Sequence, residues 1–182
     1  MMNLANKITL ARVLMIPIFM IVLFSDFNNS NYIAALIFAI AAVTDALDGH
    51  IARSRNQITT FGKFIDPLAD KLLVSSALIS MVELGTVPAW IVVIIIAREF
   101  TITGFRIIAA SNGVTIAASP LGKIKTVTQL IAIIAILIDN FPFKYINFPF
   151  HIIMLYIALF FTIVSGIDYL YRNKNVFKVG EK

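Results

Sequence analysis

Six long apolar stretches constrain this chain more than any other feature. They run at roughly Leu10–Phe24, Tyr32–Asp48, Phe64–Val82, Pro88–Ala110, Ile124–Ile138 and Phe150–Tyr171. A helix crossing a bilayer needs about 20 residues, so six such spans use up nearly all of the 182 residues. No room is left among them for a separate soluble domain. Composition agrees, with 59% hydrophobic and 14% charged residues; a soluble domain carries roughly 45–50% and about 25%. The sequence predicts an all-α integral membrane protein: one domain over residues 1–182, built as a six-transmembrane-helix bundle with a cytoplasm-facing polar cavity. Residues 1–9 are expected to form an interfacial helix before the first span. That span is long, contains Pro17 and is followed by no small-residue cleavage site, so a cleaved signal peptide is not expected.

Charge placement orients the chain. With a cytoplasmic N-terminus, Lys7, Arg12, Arg53, Arg55, Lys63, Lys123, Lys125, Arg172, Lys174, Lys178 and Lys182 all lie inside. The opposite connections (Ser25–Asn31, Glu83–Val87 and Asp139–Pro149) hold a single basic residue, Lys144. This is the positive-inside pattern, with both termini cytoplasmic. It accounts for the formal net charge of +5 without a nucleic-acid partner. The absence of cysteine excludes disulfides and thiolate chemistry, and two histidines argue against a multi-histidine site.

Ionisable residues inside spans are costly, at roughly 2.5–3.5 kcal/mol for an aspartate at the bilayer centre, and mark functional sites by default. Here they are Asp45, Asp48, Asp66, Asp70, Lys71, Arg98, Glu99 and Arg106, all toward the cytoplasmic ends of the second, third and fourth spans. Taken singly, each aspartate could be a wet helix end or the partner of Arg53 or Lys71. Taken together, they pair at i,i+3 and i,i+4, spacings that put each pair on one helix face. Four clustered carboxylates call for about two divalent cations, and an all-oxygen donor set suits Mg²⁺ or Mn²⁺. Two metals about 3.5–4 Å apart are the usual clamp for displacement at phosphorus. Gly49, Ala52 and Gly62 would let a ligand approach the backbone, and Arg53 could grip a phosphate through two parallel hydrogen bonds. Pro67, directly after Asp66, is expected either to kink the third helix or to lie in its first turn.

The pattern Asp-x2-Asp-Gly-x2-Ala-Arg-x8-Gly-x3-Asp-x3-Asp resembles the signature of the CDP-alcohol phosphotransferase family. It is met at Asp45, Asp48, Gly49, Ala52, Arg53, Gly62, Asp66 and Asp70, and the six-span layout is similar along essentially the whole chain. The resemblance implies that an alcohol attacks the lipid-bearing phosphate of a CDP-activated donor and CMP leaves. It implies that Asp45, Asp48, Asp66 and Asp70 hold two divalent cations and that Asp70 is also the general base. Gly49, Arg53, Thr60 and Gly62 would contact the CDP portion, with Asn6 near the nucleotide. It also implies a homodimer.

A second set of residues bears on the acceptor. Arg106, Lys123, Lys125, Lys63 and Lys71 make a basic rim, which suits an acceptor that already carries a phosphate. The segments Ala97-Arg98-Glu99-Phe100, Thr103-Gly104-Phe105-Arg106 and Gly122-Lys123-Ile124-Lys125-Thr126 resemble the phosphatidylglycerophosphate synthase branch, as does the opening Asn3 to Arg12, where Ala5 stands in place of an expected proline. That branch joins CDP-diacylglycerol to sn-glycerol 3-phosphate. It would place Arg106, Lys123 and Lys125 on the acceptor phosphate, with Thr9 and Lys63 beside them. Arg98 and Glu99 are neighbours and so point to different sides of a helix, as structural partners or as contributors to catalysis. Inositol phosphate is the rival acceptor. A divalent-cation transporter is the remote alternative, disfavoured because the carboxylates lie at one end of the spans and paired broken helices are lacking. His50, at a variable position of the pattern, and His151 are read as wet or interfacial, and Tyr145, Tyr156, Tyr169 and Tyr171 as aromatic belts. A bacterial plasma membrane is the expected location.

Overall fold

A computed structural model describes the backbone at residues 4–54, 60–114, 116–117 and 119–174, and side chains at 10–44, 69, 71–114, 116–117 and 119–174. The described chain is all helical: α1 (Leu4–Leu23), α2 (Ser30–Ser54), α3 (Thr60–Glu83), α4 (Ala89–Ser111), α5 (Pro120–Leu137), a short 3-10 helix at Phe143–Ile146, and α6 (Phe150–Arg172). Each expected apolar stretch is a helix, and several helices run further than the apolar residues do. Residues 4–9 join α1 without a break. Pro67 falls well inside α3 rather than in its first turn, where it has no N–H to donate to the carbonyl four residues back.

The described helices α5 and α6 are long and apolar enough to cross a membrane, and only 33% of each span is buried. A core helix of a soluble protein would hide most of its apolar surface. Here the reverse holds in α1 too, where Leu10, Leu14, Ile18 and Ile21 are exposed. Helices apolar on every side suit a hydrocarbon surrounding.

The chain forms two compact units. The first comprises residues 1–86 with 137–141, the second residues 87–136 with 142–182. In the first, α1 packs against α2 and α3, and α2 against α3. The buried stripe of α1 is Arg12, Ile16, Phe19 and Leu23, at three- and four-residue steps. Alanines at 34, 35 and 41 of α2 and 69 and 77 of α3 are buried; small side chains let helix backbones approach closely. Phe19 meets Phe38 with ring centroids 6.0 Å apart.

In the second unit, α4 packs on α6. The buried side of α4 carries Ile91, Ile95, Ile102, Phe105 and Ala109, and that of α6 carries Leu155, Ala158, Leu159, Thr162, Ser165, Gly166 and Tyr169. Phe105 and Tyr169 meet edge to face at 6.1 Å. Arg98 falls on the same helical stripe as Ile95 and Ile102, so this cation sits where an apolar residue would ordinarily go. Helix ends are set by local chemistry. Gly85 (φ 70°) and Gly113 (φ 75°) end α3 and α4, where Thr86 N–H donates to Met81 C=O and Val114 N–H to Ala109 C=O at 2.9 Å each. A left-handed residue closes such a helix end, and the demand for glycine is conformational, since a Cβ at either site would meet nothing within 4 Å. Ser119 caps α5, its Oγ accepting from Gly122 N–H at 3.1 Å, and Pro120 takes the first helical position that suits it.

Candidate functional site

All eight signature positions lie on helices, and none needs a loop. Asp45, Asp48, Gly49, Ala52 and Arg53 lie on the last turns of α2. Thr60, Gly62, Lys63, Asp66 and Asp70 lie on the first turns of α3. The two helices pack and are joined by residues 55–59 only, a link that spans at most about 20 Å between its flanking residues. The i,i+3 and i,i+4 spacings are thus genuine helical spacings. The side chains of Asp45, Asp48, Gly49, His50, Arg53, Thr60, Gly62, Lys63, Asp66 and Asp70 lie outside the described residues, as do those of Asn6 and Thr9 in α1. Among the described residues, no three of His, Cys, Asp and Glu gather to hold a metal. Arg12, read from the sequence as a topology marker and as the end of the opening segment, is buried in its helical stripe.

The acceptor residues lie in the second unit. Arg106 on α4 and Lys123 on α5 are exposed. Lys125 is different: its side chain is only 3% exposed, and its ammonium reaches from α5 to pair with Glu99 Oε1 on α4. The same oxygen accepts from Arg98 Nη1 at 3.0 Å. Arg98 Nη2 donates to Ser165 Oγ on α6 at 2.9 Å. Arg98 and Glu99 are 15% and 14% exposed, so three ionised groups share one mostly dry place. Their sum is one positive charge, since two cations meet one carboxylate.

Room for this cluster is made by two glycines. A Cβ on Gly166 would stand 3.2 Å from Arg98 Cγ, and one on Gly122 would stand 3.2 Å from Ser119 Oγ and 3.9 Å from Arg98 Nη2. The guanidinium therefore lies in a slot floored by α6 and flanked by the first turn of α5.

Two expectations change at this point. Arg98 and Glu99 do not face apart, because the long arginine side chain reaches back across the 100° between neighbouring positions and bonds Glu99. Ser165 and Gln129 were not singled out from the sequence. Gln129, one helical turn beyond Lys125, is 3% exposed, and neither amide atom has a hydrogen-bond partner. The available signal was a polar residue at i+4 from a lysine in an otherwise apolar helix.

Comparison with known proteins places these elements in context. The family model for CDP-alcohol phosphatidyltransferase matches residues 2–164. The chain is 48% identical to the CDP-diacylglycerol–glycerol-3-phosphate 3-phosphatidyltransferase of Bacillus subtilis strain 168, over 98% of both chains. It is 41% identical to the Haemophilus influenzae protein of the same name, over 92% of this chain and 91% of that one. It is 36% identical to the Rickettsia typhi protein of that name, over 97% of this chain and all of that one.

Proposed function

The chain belongs to the CDP-alcohol phosphatidyltransferase family, and from that premise we propose that it transfers the phosphatidyl group of CDP-diacylglycerol to sn-glycerol 3-phosphate, giving phosphatidylglycerophosphate and CMP. The observation that carries this reading is the near full-length likeness to relatives named for that reaction. The signature on α2 and α3 supports the reaction class. The basic residues Arg106, Lys123 and Lys125 support an acceptor that brings a phosphate.

In this reaction a hydroxyl of the acceptor forms a bond to the phosphorus that carries diacylglycerol, and the bond from that phosphorus to CMP breaks. The four aspartates are all-oxygen donors on two packed helices, which fits two divalent cations of the Mg²⁺ or Mn²⁺ kind. Asp45, Asp48, Asp66 and Asp70 would hold them, and bound cations supply neutralisation of the charge on the donor phosphates. Asp70 takes the proton from the attacking hydroxyl, as a positioned carboxylate base. Arg53 holds donor phosphate through its planar fork. Gly49 and Gly62 admit the nucleotide against bare backbone, with Thr60 and Asn6 bonding it. Arg106, Lys123, Lys125, Lys63 and Thr9 receive the acceptor phosphate.

The whole chain works as one membrane domain of six spans, with the polar cavity and both termini on the cytoplasmic side of a bacterial membrane. The one-sided distribution of basic residues supports that orientation. The cavity must open toward the inner leaflet, because the acyl chains of the donor stay in lipid. The family resemblance supports a homodimer.

The test is CMP release from CDP-diacylglycerol by purified protein in detergent with Mg²⁺. The arms are glycerol 3-phosphate, inositol phosphate, inositol and serine. Release confined to glycerol 3-phosphate is the expected result. Release with a different alcohol would overturn the acceptor, and no release from folded protein would overturn the reaction.

A further inference from the structure

We propose that Glu99 is a positioning residue for the acceptor phosphate, holding the Lys125 ammonium in place and held in turn by its neighbour Arg98 on α4, which Ser165 of α6 anchors. The inference rests on the reading that Lys125 receives that phosphate. The geometry is a chain of contacts through three helices. Ser165 of α6 accepts from Arg98 Nη2 at 2.9 Å, Arg98 Nη1 donates to Glu99 Oε1 at 3.0 Å, and the same oxygen takes Lys125 of α5. Gly166 lets the arginine stem lie flat against α6, since a Cβ there would press on Arg98 Cγ at 3.2 Å.

Stability alone does not account for such a cluster. Replacing buried ionic groups by apolar ones of similar volume is often neutral or stabilising. Lysine also carries about 2 kcal/mol of rotamer freedom, and a phosphate that had to order a free lysine would bind more weakly. Glu99 removes that freedom in advance.

The experiment measures acceptor and donor KM and kcat in purified protein for Glu99→Gln, Lys125→Gln and the double variant, with thermal unfolding alongside. Glu99→Gln should raise the glycerol 3-phosphate KM roughly ten-fold, the size of one charge-assisted hydrogen bond. The CDP-diacylglycerol KM should stay within about two-fold. In the Lys125→Gln background, Glu99→Gln should add no further increase, because its effect runs through the lysine. Additive increases, or equal losses toward both substrates, would overturn the proposal. If Glu99→Gln does not fold, Ser165→Ala replaces it. Its expected acceptor KM rise is about two- to three-fold, the size of one neutral hydrogen bond, again absent in the Lys125→Gln background; no rise would overturn the proposal. Lys125→Gln with an unchanged acceptor KM would instead remove the reading on which the inference stands.

Discussion

The two units of this chain handle charge in opposite ways. In the first, the charges of interest are carboxylates: Asp45 and Asp48 near the end of α2, Asp66 and Asp70 near the start of α3, all within one helix–link–helix segment. In the second they are cations, Arg98, Arg106, Lys123 and Lys125, with one carboxylate, Glu99, among them. In the proposed reading the four carboxylates hold divalent cations. In the same reading the cations of the second unit receive the phosphate of the acceptor. That division predicts that metal removal and donor chemistry fail together, while acceptor affinity is tuned independently in the second unit.

The largest effect should come from taking away the cations. Chelation with EDTA is expected to abolish CMP release, and Mg²⁺ or Mn²⁺ should restore it, whereas added glycerol 3-phosphate should not. Activity that persists in metal-free buffer would break the comparison at its first term. Close behind is Asp70→Asn, which keeps size and removes the base. Turnover should fall by about 10²–10⁴-fold, with the protein still folded by thermal unfolding. Near-normal turnover would take the proton-accepting role from Asp70.

A smaller and more selective effect is expected in the second unit. Arg106 is exposed on α4, so its removal should not disturb packing. Arg106→Ala should raise the acceptor KM by roughly ten-fold with kcat nearly unchanged, the pattern of lost uniform binding. An increase in the donor KM instead would move Arg106 out of the acceptor site and weaken the separation of the two units.

The first unit was easier to read from sequence, for a physical reason. Its signature residues are brought close by one helix–link–helix, so period and spacing carry the information, and the helices found over Ser30–Ser54 and Thr60–Glu83 make those spacings real. The second cluster joins Arg98 to Ser165 across 67 positions and Glu99 to Lys125 across 26. No local period reports which residues of three apolar helices will meet. Sequence did place the basic residues of α5, but it read Lys123 and Lys125 alike, although one is exposed and the other almost wholly buried. Two residues apart on a helix means about 200° around it, so they could not share an environment. The pairing of Arg98 with Glu99 was missed because adjacent backbone positions diverge, whereas a long flexible side chain converges.

The smallest predicted effect tests how tightly the second cluster is built, and it does so with two glycines in the same unit. Arg98 is fixed at its far end by Glu99 and Ser165, so its stem has little freedom to retreat from a methyl group placed 3.2 Å away on Gly166. Gly166→Ala should therefore cost about 1–3 kcal/mol of overpacking, only partly offset by the roughly 0.5–1 kcal/mol that alanine gains over glycine in a helix. Gly104, on α4, offers the control: a Cβ there meets nothing within 4 Å, so Gly104→Ala should leave Tm unchanged or raise it. Thermal unfolding of both variants in one detergent separates the two. Equal Tm values would mean that Arg98 can slide, and a sliding arginine could not hold Glu99 and Lys125 in register for an incoming phosphate.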